Sequence, residues 1–475
     1  MKQASVYQKY YSDESTKNAQ FDLYAYTPPP AFRFEADGIK SPVIKDFRTL
    51  ERYQEYKDCG FNIMLTQTSA VYWWDMDWET SDTKAALDRA QTVGLKCIIL
   101  DERIRQLSKI EGGLIGEGKK FASEAELDEH VAMLMQPYKD HPAFYGVQFL
   151  DEPQWVVFKT FGQLYKSIKR VHPQTFIQCN LLPIIVLNMT NRWFPEGLDL
   201  FDRFKRYLEM FIDETGADYI MYDNYPIYNG ELGDGKCFYR FYFKALQIAS
   251  QVCKERGVKL YFVMQSFAMI QRGLLECVTP NEAQMFYQAN ALMGFGVKQI
   301  SYFTYWCKGV MDVKGEIIPD GSAMVSRMGE KMPLWYSVQK INAMLQKLAP
   351  VILNFDYEAD RYIIKPPFKT HPFHLEYTGR CFLDNVEAET DQEVAMVYQL
   401  KDKKNGQYMY IIQNITYNYY EEKLGLPKQK TTLKFDKKFT KIDIFDGNMW
   451  RTETLVDGAY TVELAAGYAE YLLPY

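Results

Sequence analysis

Tyr145-Gly146-Val147-Gln148-Phe149-Leu150-Asp151-Glu152-Pro153-Gln154-Trp155 is the stretch on which the fold reading turns. Tyr145 to Leu150 form a short apolar run of the kind that makes a buried strand. The run stops on two carboxylates, a proline and a tryptophan. Where strands alternate with helices around a barrel, reactive side chains sit at the C-terminal ends of the strands. The same residues have a plainer reading, with Asp151 capping the next helix and Glu152 solvated in its first turn. Spacing alone leaves both open, because acids commonly precede helices.

Outward from that stretch, strand and helix patterns alternate. Phe21 to Thr27 reads as a first strand, stopped by Pro28, Pro29 and Pro30. Helical spacing over Thr49 to Tyr56 closes at Gly60, and Phe61 to Leu65 is a second strand that runs into Tyr72, Trp73, Trp74, Asp75 and Trp78. A helix from Thr83 to Val93 precedes a third strand, Leu95 to Leu100, which ends on Asp101 and Glu102. Ser123 to Met135 is helical, with Ser123 and Glu126 at capping-box spacing. After the fourth strand come a helix over Phe158 to Val171 and a fifth strand, Thr175 to Asn180. Leu200 to Thr215 is helical, and Asp218 to Pro226 is a sixth strand carrying Asp223. Phe238 to Arg256 leads into a seventh strand, Lys259 to Phe267. A helix opened by Thr279-Pro280-Asn281-Glu282, with the proline in its first turn, leads into the eighth strand, Gln299 to Trp306. Pro333 to Leu348 is the last helix. This rhythm predicts a (β/α)8 barrel over residues 21–349, after an N-terminal segment 1–20. An open doubly wound sheet is disfavoured, since no glycine-rich phosphate loop follows the first strand.

Past Pro350 helical periodicity vanishes. Short alternating runs at Glu393 to Tyr398, Tyr408 to Ile412, Thr440 to Phe445, Tyr460 to Leu464 and Gly467 to Leu473 predict a C-terminal all-β sandwich over residues 350–475. It is expected to be a structural partner of the barrel, because no exposed aromatic row stands out in it.

The composition narrows the function classes. Net charge is -6, without a basic run or face, which speaks against nucleic acid and anionic membranes as partners. The chain's 8 cysteines and 5 histidines form neither a CxxC nor a zinc pattern, so buried thiols and no metal are expected. Met1 to Tyr7 lacks the apolar core of a secretory signal, and no stretch is long and apolar enough to span a bilayer. These features give a cytoplasmic expectation. Aromatic residues reach 16% of the chain, and Tyr and Trp present the flat apolar face and polar edge that suit a sugar ring.

Gathered at one mouth, the strand ends carry Trp73, Trp74, Asp75, Asp101, Glu102, Asp151, Glu152, Trp155, Asn180, Asp223, Tyr225, Gln265, Phe267, Tyr302, Tyr305 and Trp306. Cleaving a glycosidic bond takes one protonated carboxyl for the leaving oxygen and a second carboxylate to attack the sugar or activate water. The inventory suits that chemistry better than acyl transfer, which needs a Ser or Cys with a His. It also suits it better than Schiff-base chemistry, which needs a strand-end Lys.

Asp151-Glu152-Pro153 at the end of the fourth strand resembles the Asn-Glu-Pro or Asp-Glu-Pro motif of clan A glycoside hydrolases and their beta-galactosidase-like relatives. Tyr302-Phe303-Thr304-Tyr305-Trp306 is similar to that group's eighth strand, and the trailing all-β domain resembles theirs. The resemblance implies Glu152 as general acid/base and no cofactor. It fails at strand seven, where the family places a nucleophilic Glu and this chain has Gln265. The second carboxylate is then expected from Asp223, with Asp101, Glu102, Asp75 and Glu276 as alternatives, or the substrate supplies its own nucleophile. Trp73, Trp74, Asp75, Asp101, Asp151, Trp155, Asn180, Tyr225, Gln265, Tyr302 and Trp306 are the expected sugar-binding residues. The expected function is hydrolysis of oligo- or polysaccharides. The rivals are a carbohydrate-binding protein on a hydrolase-like barrel, motivated by Gln265, and a metal-dependent barrel enzyme with Asp101, Glu102, Glu152 and Asp223 as oxygen ligands.

Overall fold

The computed structural model describes residues 5–36, 39–66, 77–184, 198–227, 236–271, 274–307, 316–317, 320–364, 380–383, 385–390, 394–415 and 428–475. Eight parallel strands are arranged as two four-stranded sheets. In chain order they are β1 (Asp22–Ala25), β2 (Ile63–Leu65), β3 (Lys96–Ile99), β4 (Phe144–Gln148), β5 (Phe176–Gln178), β6 (Tyr219–Asp223), β7 (Lys259–Gln265) and β8 (Val297–Phe303). One sheet has the order β2-β3-β4-β5 and the other β1-β8-β7-β6. The sheets meet at both free edges. Past β5, a parallel bridge joins Leu181 to Tyr222 on β6, with the Leu181 N–H donating to the Met221 carbonyl at 2.8 Å. Before β2, the Asn62 N–H donates to the Leu23 carbonyl on β1 at 3.1 Å, and the Asn62 side chain accepts from Leu23 N–H at 2.8 Å. This strand order, with one hydrogen-bonded seam on each side, fits the (β/α)8 reading.

Helices α1 (Val6–Ser12), α2 (Leu50–Asp58), α3 (Asp82–Val93), α4 (Glu102–Ser108), α5 (Glu124–Met135), α6 (Phe158–Val171), α7 (Leu200–Thr215), α8 (Lys236–Arg256), α9 (Glu282–Gly294) and α10 (Pro333–Ile352) complete the first part of the chain. Their amphipathic spacing turns residues such as Phe158, Phe161, Leu164 and Ile168 of α6 inward, where they are buried. Gly94 and Gly216 end α3 and α7 in the left-handed conformation, as the sequence suggested. Gly146 lets β4 approach β5 closely, since a Cβ there would lie 2.1 Å from the Phe176 carbonyl oxygen.

Several elements differ from expectation. Residues 6–12 are helical, with Tyr7 stacked on Trp450 at 5.0 Å and Tyr10 donating to Asp402 at 2.9 Å, so this opening segment fastens onto the C-terminal part. A hairpin, Ala31–Ala36 with Ile39–Asp46, follows the prolines, where no strand was expected. Pro280 precedes α9 instead of opening its first turn: Asn281 is the cap, with a capping box to Gln284. At α5, Ser123 caps Glu126 N–H, while the Glu126 side chain reaches back to Ala122 N–H, one residue beyond the Ser123 N–H of the expected box.

The C-terminal part has two antiparallel sheets. Its strands are β9 (Asp356–Ile364), β10 (Arg380–Leu383), β11 (Val386–Thr390), β12 (Val394–Lys401), β13 (Tyr408–Asn414), β14 (Lys428–Phe435), β15 (Lys441–Phe445), β16 (Trp450–Thr454), β17 (Ala459–Ala465) and β18 (Ala469–Pro474). The orders are β9-β12-β13-β18-β15-β16 and β10-β11-β14-β17. Val397, Tyr410, Ile412, Ile444 and Leu472 on one sheet pack against Ala388, Leu433, Phe435 and Val462 on the other, as in a sandwich. The opposite face of the larger sheet is buried too: Met396, Tyr398, Ile411, Tyr471 and Leu473 join the main core under α9. Gly294 makes that contact possible, because a Cβ there would lie 2.4 Å from the Tyr398 ring. Among the described residues, no helix is long and apolar enough to cross a membrane.

Candidate active site

The chain beyond β4 stays in register with the chain beyond β5. Phe149 N–H donates to the Gln178 carbonyl at 2.9 Å, and Glu152 N–H donates to the Asn180 carbonyl at 2.8 Å. Between them Glu152 adopts φ +47°, a left-handed conformation uncommon for a side chain of its size. Such strain, on the order of 1 kcal/mol, persists where the surroundings hold it. The hold comes from both sides. Tyr207 on α7 donates its hydroxyl to the Pro153 carbonyl at 2.6 Å and accepts from Leu182 N–H at 3.2 Å. The Tyr207 ring is fully buried, 5.2 Å from Phe158.

No helix starts at Asp151. A short 3-10 turn covers Trp155–Val157, and α6 begins at Phe158 with Val157 as a cap that makes no side-chain bond. The capping reading of Asp151 is therefore corrected. Asp151 is exposed and Glu152 half-buried at the strand end.

Asn180 links this turn to β6. Its carbonyl holds Glu152, and its side-chain amide donates to Asp223 Oδ1 at 2.9 Å. The Asn180 side-chain oxygen is buried with no hydrogen-bond partner among the described residues. Asp223 closes β6 and is 3% exposed. Burial pushes its carboxyl up to about 7; the Asn180 hydrogen bond opposes that, and the negative charge of Asp151 adds to it. Tyr225 feels the same acids: burial raises its phenol first, then Asp223, Glu152 and Asp151 in turn. Tyr26, just past β1, is raised by burial and then by Asp151, and it accepts a hydrogen bond from Gln178 at 2.6 Å. Asp151, Glu152, Asp223, Asn180, Tyr225 and Tyr26 thus form one electrostatic cluster at the C-terminal strand ends. An aromatic wall adjoins it: the Tyr225 ring lies 5.0 Å from Phe267 and 6.1 Å from Phe303, and Phe303 lies 5.7 Å from Tyr26.

Other expected site residues are placed differently. Asp101 is fully buried as the N-cap of α4, bonded to Arg103 N–H and guanidinium and to the Tyr138 hydroxyl. Glu102 occupies the first turn of α4 and pairs with Arg105 and Lys109. The cap-and-first-turn reading raised for Asp151-Glu152 thus describes Asp101-Glu102. Gln265, fully buried, accepts from Ile227 N–H at 2.9 Å and donates to the carbonyls of Ile227, Phe267 and Val278 at 3.0, 3.3 and 3.1 Å. Both ends of its amide are bound to backbone, so it is an anchor and not a sugar contact. Tyr302 is buried and donates to Asn342 of α10 at 2.7 Å, toward the helix layer. Trp306 is buried against Phe47 at 4.6 Å, with the Arg52 guanidinium 5.8 Å from its ring centre. Trp155 is 39% exposed. Trp73, Trp74 and Asp75 lie outside the described residues.

Sequence reasoning missed Tyr26, Gln178 and Tyr207. Tyr26 had a usable signal, a phenol at the end of a strand. Tyr207, on a helix, had none.

No family model matches the chain, and no curated protein does. Solved structures to which the chain shows a likeness include an Anoxybacillus alpha-amylase (13% identity, 90% of this chain and 89% of that one, TM-score 0.46). Others are an endo-beta-1,4-mannanase from Thermotoga petrophila (10%, 96% and 99%, 0.41) and a GH30 endoxylanase from Clostridium papyrosolvens (10%, 89% and 92%, 0.40). At these scores the likenesses carry no argument.

Proposed function

We propose that this chain is a glycoside hydrolase, a closed (β/α)8 barrel with a β-sandwich packed against it, acting on oligo- or polysaccharides without a metal. The observation that carries the reading is Asn180. One residue holds Glu152 by its carbonyl and Asp223 by its amide, so two carboxyl-bearing strand ends are fixed relative to each other. Its side-chain oxygen, buried and without a hydrogen-bond partner among the described residues, is the spare acceptor beside the two acids. Glu152 is the general acid/base and Asp223 the second carboxylate, with Tyr225, Asn180, Asp151 and Trp155 binding substrate.

One observation favours a second assignment of roles. A carboxyl raised to about 7 by burial is the natural proton carrier near neutrality, and here that group is Asp223. The pH profile of kcat/KM separates the two. If Asp223 must be ionised, activity falls as pH drops through about 7; if it must be protonated, activity falls as pH rises through about 7. The binding-only alternative stays as the outcome that the test below separates, since Gln265 anchors backbone and supplies no second carboxylate.

The test is release of aryl alcohol from a panel of aryl glycosides of both anomers, with Glu152→Gln and Asp223→Asn beside the unmodified protein. Each variant is expected to lose about 10²- to 10⁴-fold in rate. If no glycoside is cleaved while sugars still raise the melting temperature, the protein binds carbohydrate without cleaving it.

A further inference from the structure

At the opposite end of the parallel strands from Asp223, a cavity of about 260 Å³ opens between the start of β7, the start of β8, the C-terminal end of α8 and the first residues of β9. Its charged lining is Lys254, Lys259, Lys298, Lys403 and Asp356, with Tyr357 as an aromatic side. The counter-charges can be followed one at a time. Lys254 pairs with Glu358 at 2.7 Å. Lys403 pairs with Asp356 at 3.2 Å, and Lys298 shares the same carboxylate at 3.6 Å. Lys298 also donates to the carbonyls of Ile352, Leu353 and Phe355, closing the end of α10. Lys259 has no ion pair among the described residues, and its charge is felt by Asp22, the first residue of β1. Four ammonium groups therefore meet three carboxylates, Glu358, Asp356 and the more distant Asp22, around one recess. Lys298 registers the crowding: its side chain is 13% exposed, and its ammonium is pushed down to about 8, by burial first and against the pull of Asp356, with Lys403 and Lys259 adding to the fall.

A fold that sought only to join two domains gains nothing by concentrating like charges in a half-closed recess, where they repel more strongly than in open water. We infer that this cavity binds a phosphate group, free or as the monoester of a small molecule, held by Lys259 and Lys403 at the junction of the barrel-type sheets and β9, while Lys298, whose three N–H are taken by backbone carbonyls, contributes charge only. Phosphate oxygens can accept from the Lys259 and Lys403 ammonium groups, the phosphate charge offsets the excess, and the volume admits one such group with a small substituent. Because the cavity lies between β7, β8 and β9, occupancy ties the C-terminal part to the first part of the chain. The site does not depend on the proposed hydrolase reading.

Thermal unfolding and titration calorimetry of the full chain test it, using sodium phosphate and glucose 6-phosphate against sodium chloride at matched ionic strength. A saturable rise in melting temperature beyond that given by chloride is expected with phosphate or its ester. The tighter of the two identifies the source. Lys259→Gln and Lys403→Gln should each weaken binding by roughly tenfold or more, whereas Lys438→Gln, in the turn between β14 and β15, should leave it unchanged. Melting in chloride alone reports whether each variant is folded, and Lys259→Arg, which keeps the charge, should retain binding. No saturable binding by the unmodified protein, or undiminished binding by Lys259→Gln and Lys403→Gln, overturns the inference.

Discussion

Asp223 closes β6 and Gln265 closes β7, on neighbouring strands of one sheet, and the two buried side chains are built in opposite ways. Gln265 has every polar atom bonded to backbone: Ile227 on both sides of its amide, and Phe267 and Val278 beyond. Asp223 is held by Asn180 and Tyr225, sits next to the charge of Asp151, and has its pKa raised by burial. A satisfied buried polar group stabilises its surroundings, while a strained one is available for chemistry. A polar residue at a strand end is thus a weak pointer by itself. What separates anchor from reactive group is how much of its bonding capacity the fold has already used.

The comparison breaks most sharply under the same isosteric exchange run in both directions. Gln265→Glu would restore the carboxylate expected at strand seven, yet it replaces an amide that donates to three carbonyls with a group that donates nothing. Lone pairs would face lone pairs in a fully buried site. A loss of about 4–5 kcal/mol is expected in urea unfolding, with no gain in glycosidase activity. A stable and more active Gln265→Glu would show that the backbone web around residue 265 is not its purpose.

Asp223→Asn should move stability the other way, with a defined pH dependence. The folded carboxyl is raised from 3.8 to about 7, so the native state holds the proton more tightly than the unfolded chain. Below about 4 both states are protonated and the group is neutral to stability. As pH rises toward 7 the unfolded state ionises first, stability falls, and the cost is complete above the folded pKa. The displacement corresponds to as much as about 4 kcal/mol. Asp223→Asn keeps an oxygen for Asn180 and removes that cost. It should therefore unfold at higher denaturant than the unmodified protein at pH 8 and at nearly the same denaturant at pH 4, while losing activity. Identical unfolding curves at pH 8 would show that Asp223 is no more strained than Gln265.

How far the sequence foretold this contrast follows from the range of the forces involved. Strand and helix periods, and the glycines ending α3 and α7, depend on neighbours along the chain, so all eight parallel strands were found within a few residues. The hairpin after Pro30 and strands β9, β10, β11, β14 and β16 were missed, because their apolar alternation is short or interrupted by charge and only pairing makes them strands. At the site, Glu152, Asn180 and Asp223 could be picked out because each ends a strand pattern. Asp101 and Asp151 end strands alike and are followed by acids alike. Only the structure shows a helix starting directly after Asp101 but seven residues after Asp151, at Phe158. Gln265 and Trp306 were misjudged because their partners, Val278 and Phe47, lie on segments whose approach no local pattern encodes.

Tyr207 extends the contrast to a residue on a helix that braces the acid held in a strained backbone. Its hydroxyl joins the Pro153 carbonyl to Leu182 N–H, bridging the turn after β4 to the segment after β5. Tyr207→Phe keeps the buried ring and removes that bridge. A stability loss of about 1–2 kcal/mol is expected. If the brace positions Glu152, kcat should fall by roughly tenfold with KM little changed, since a small misplacement of a reacting group is felt in the chemical step. A loss of stability with kcat intact would make Tyr207 an anchor in the manner of Gln265.

Trp155 lies at the other extreme, where the fold asks almost nothing of the side chain. It is 39% exposed, whereas Trp306 and Trp335 are buried. Trp155→Ala should therefore change unfolding free energy by no more than about 0.5 kcal/mol, the usual range for surface substitutions. An indole left exposed three residues after Glu152 is well placed to stack on a sugar in the ground state and the transition state alike. Removing such uniform binding raises KM and leaves kcat unchanged. Kinetics on a cleaved aryl glycoside and on a longer oligosaccharide separate the cases. A KM increase confined to the oligosaccharide places Trp155 at a distant sugar, and an increase for both places it beside the scissile bond. Unchanged KM for both would mean that exposure at a strand end, like polarity at a strand end, does not by itself mark a substrate contact.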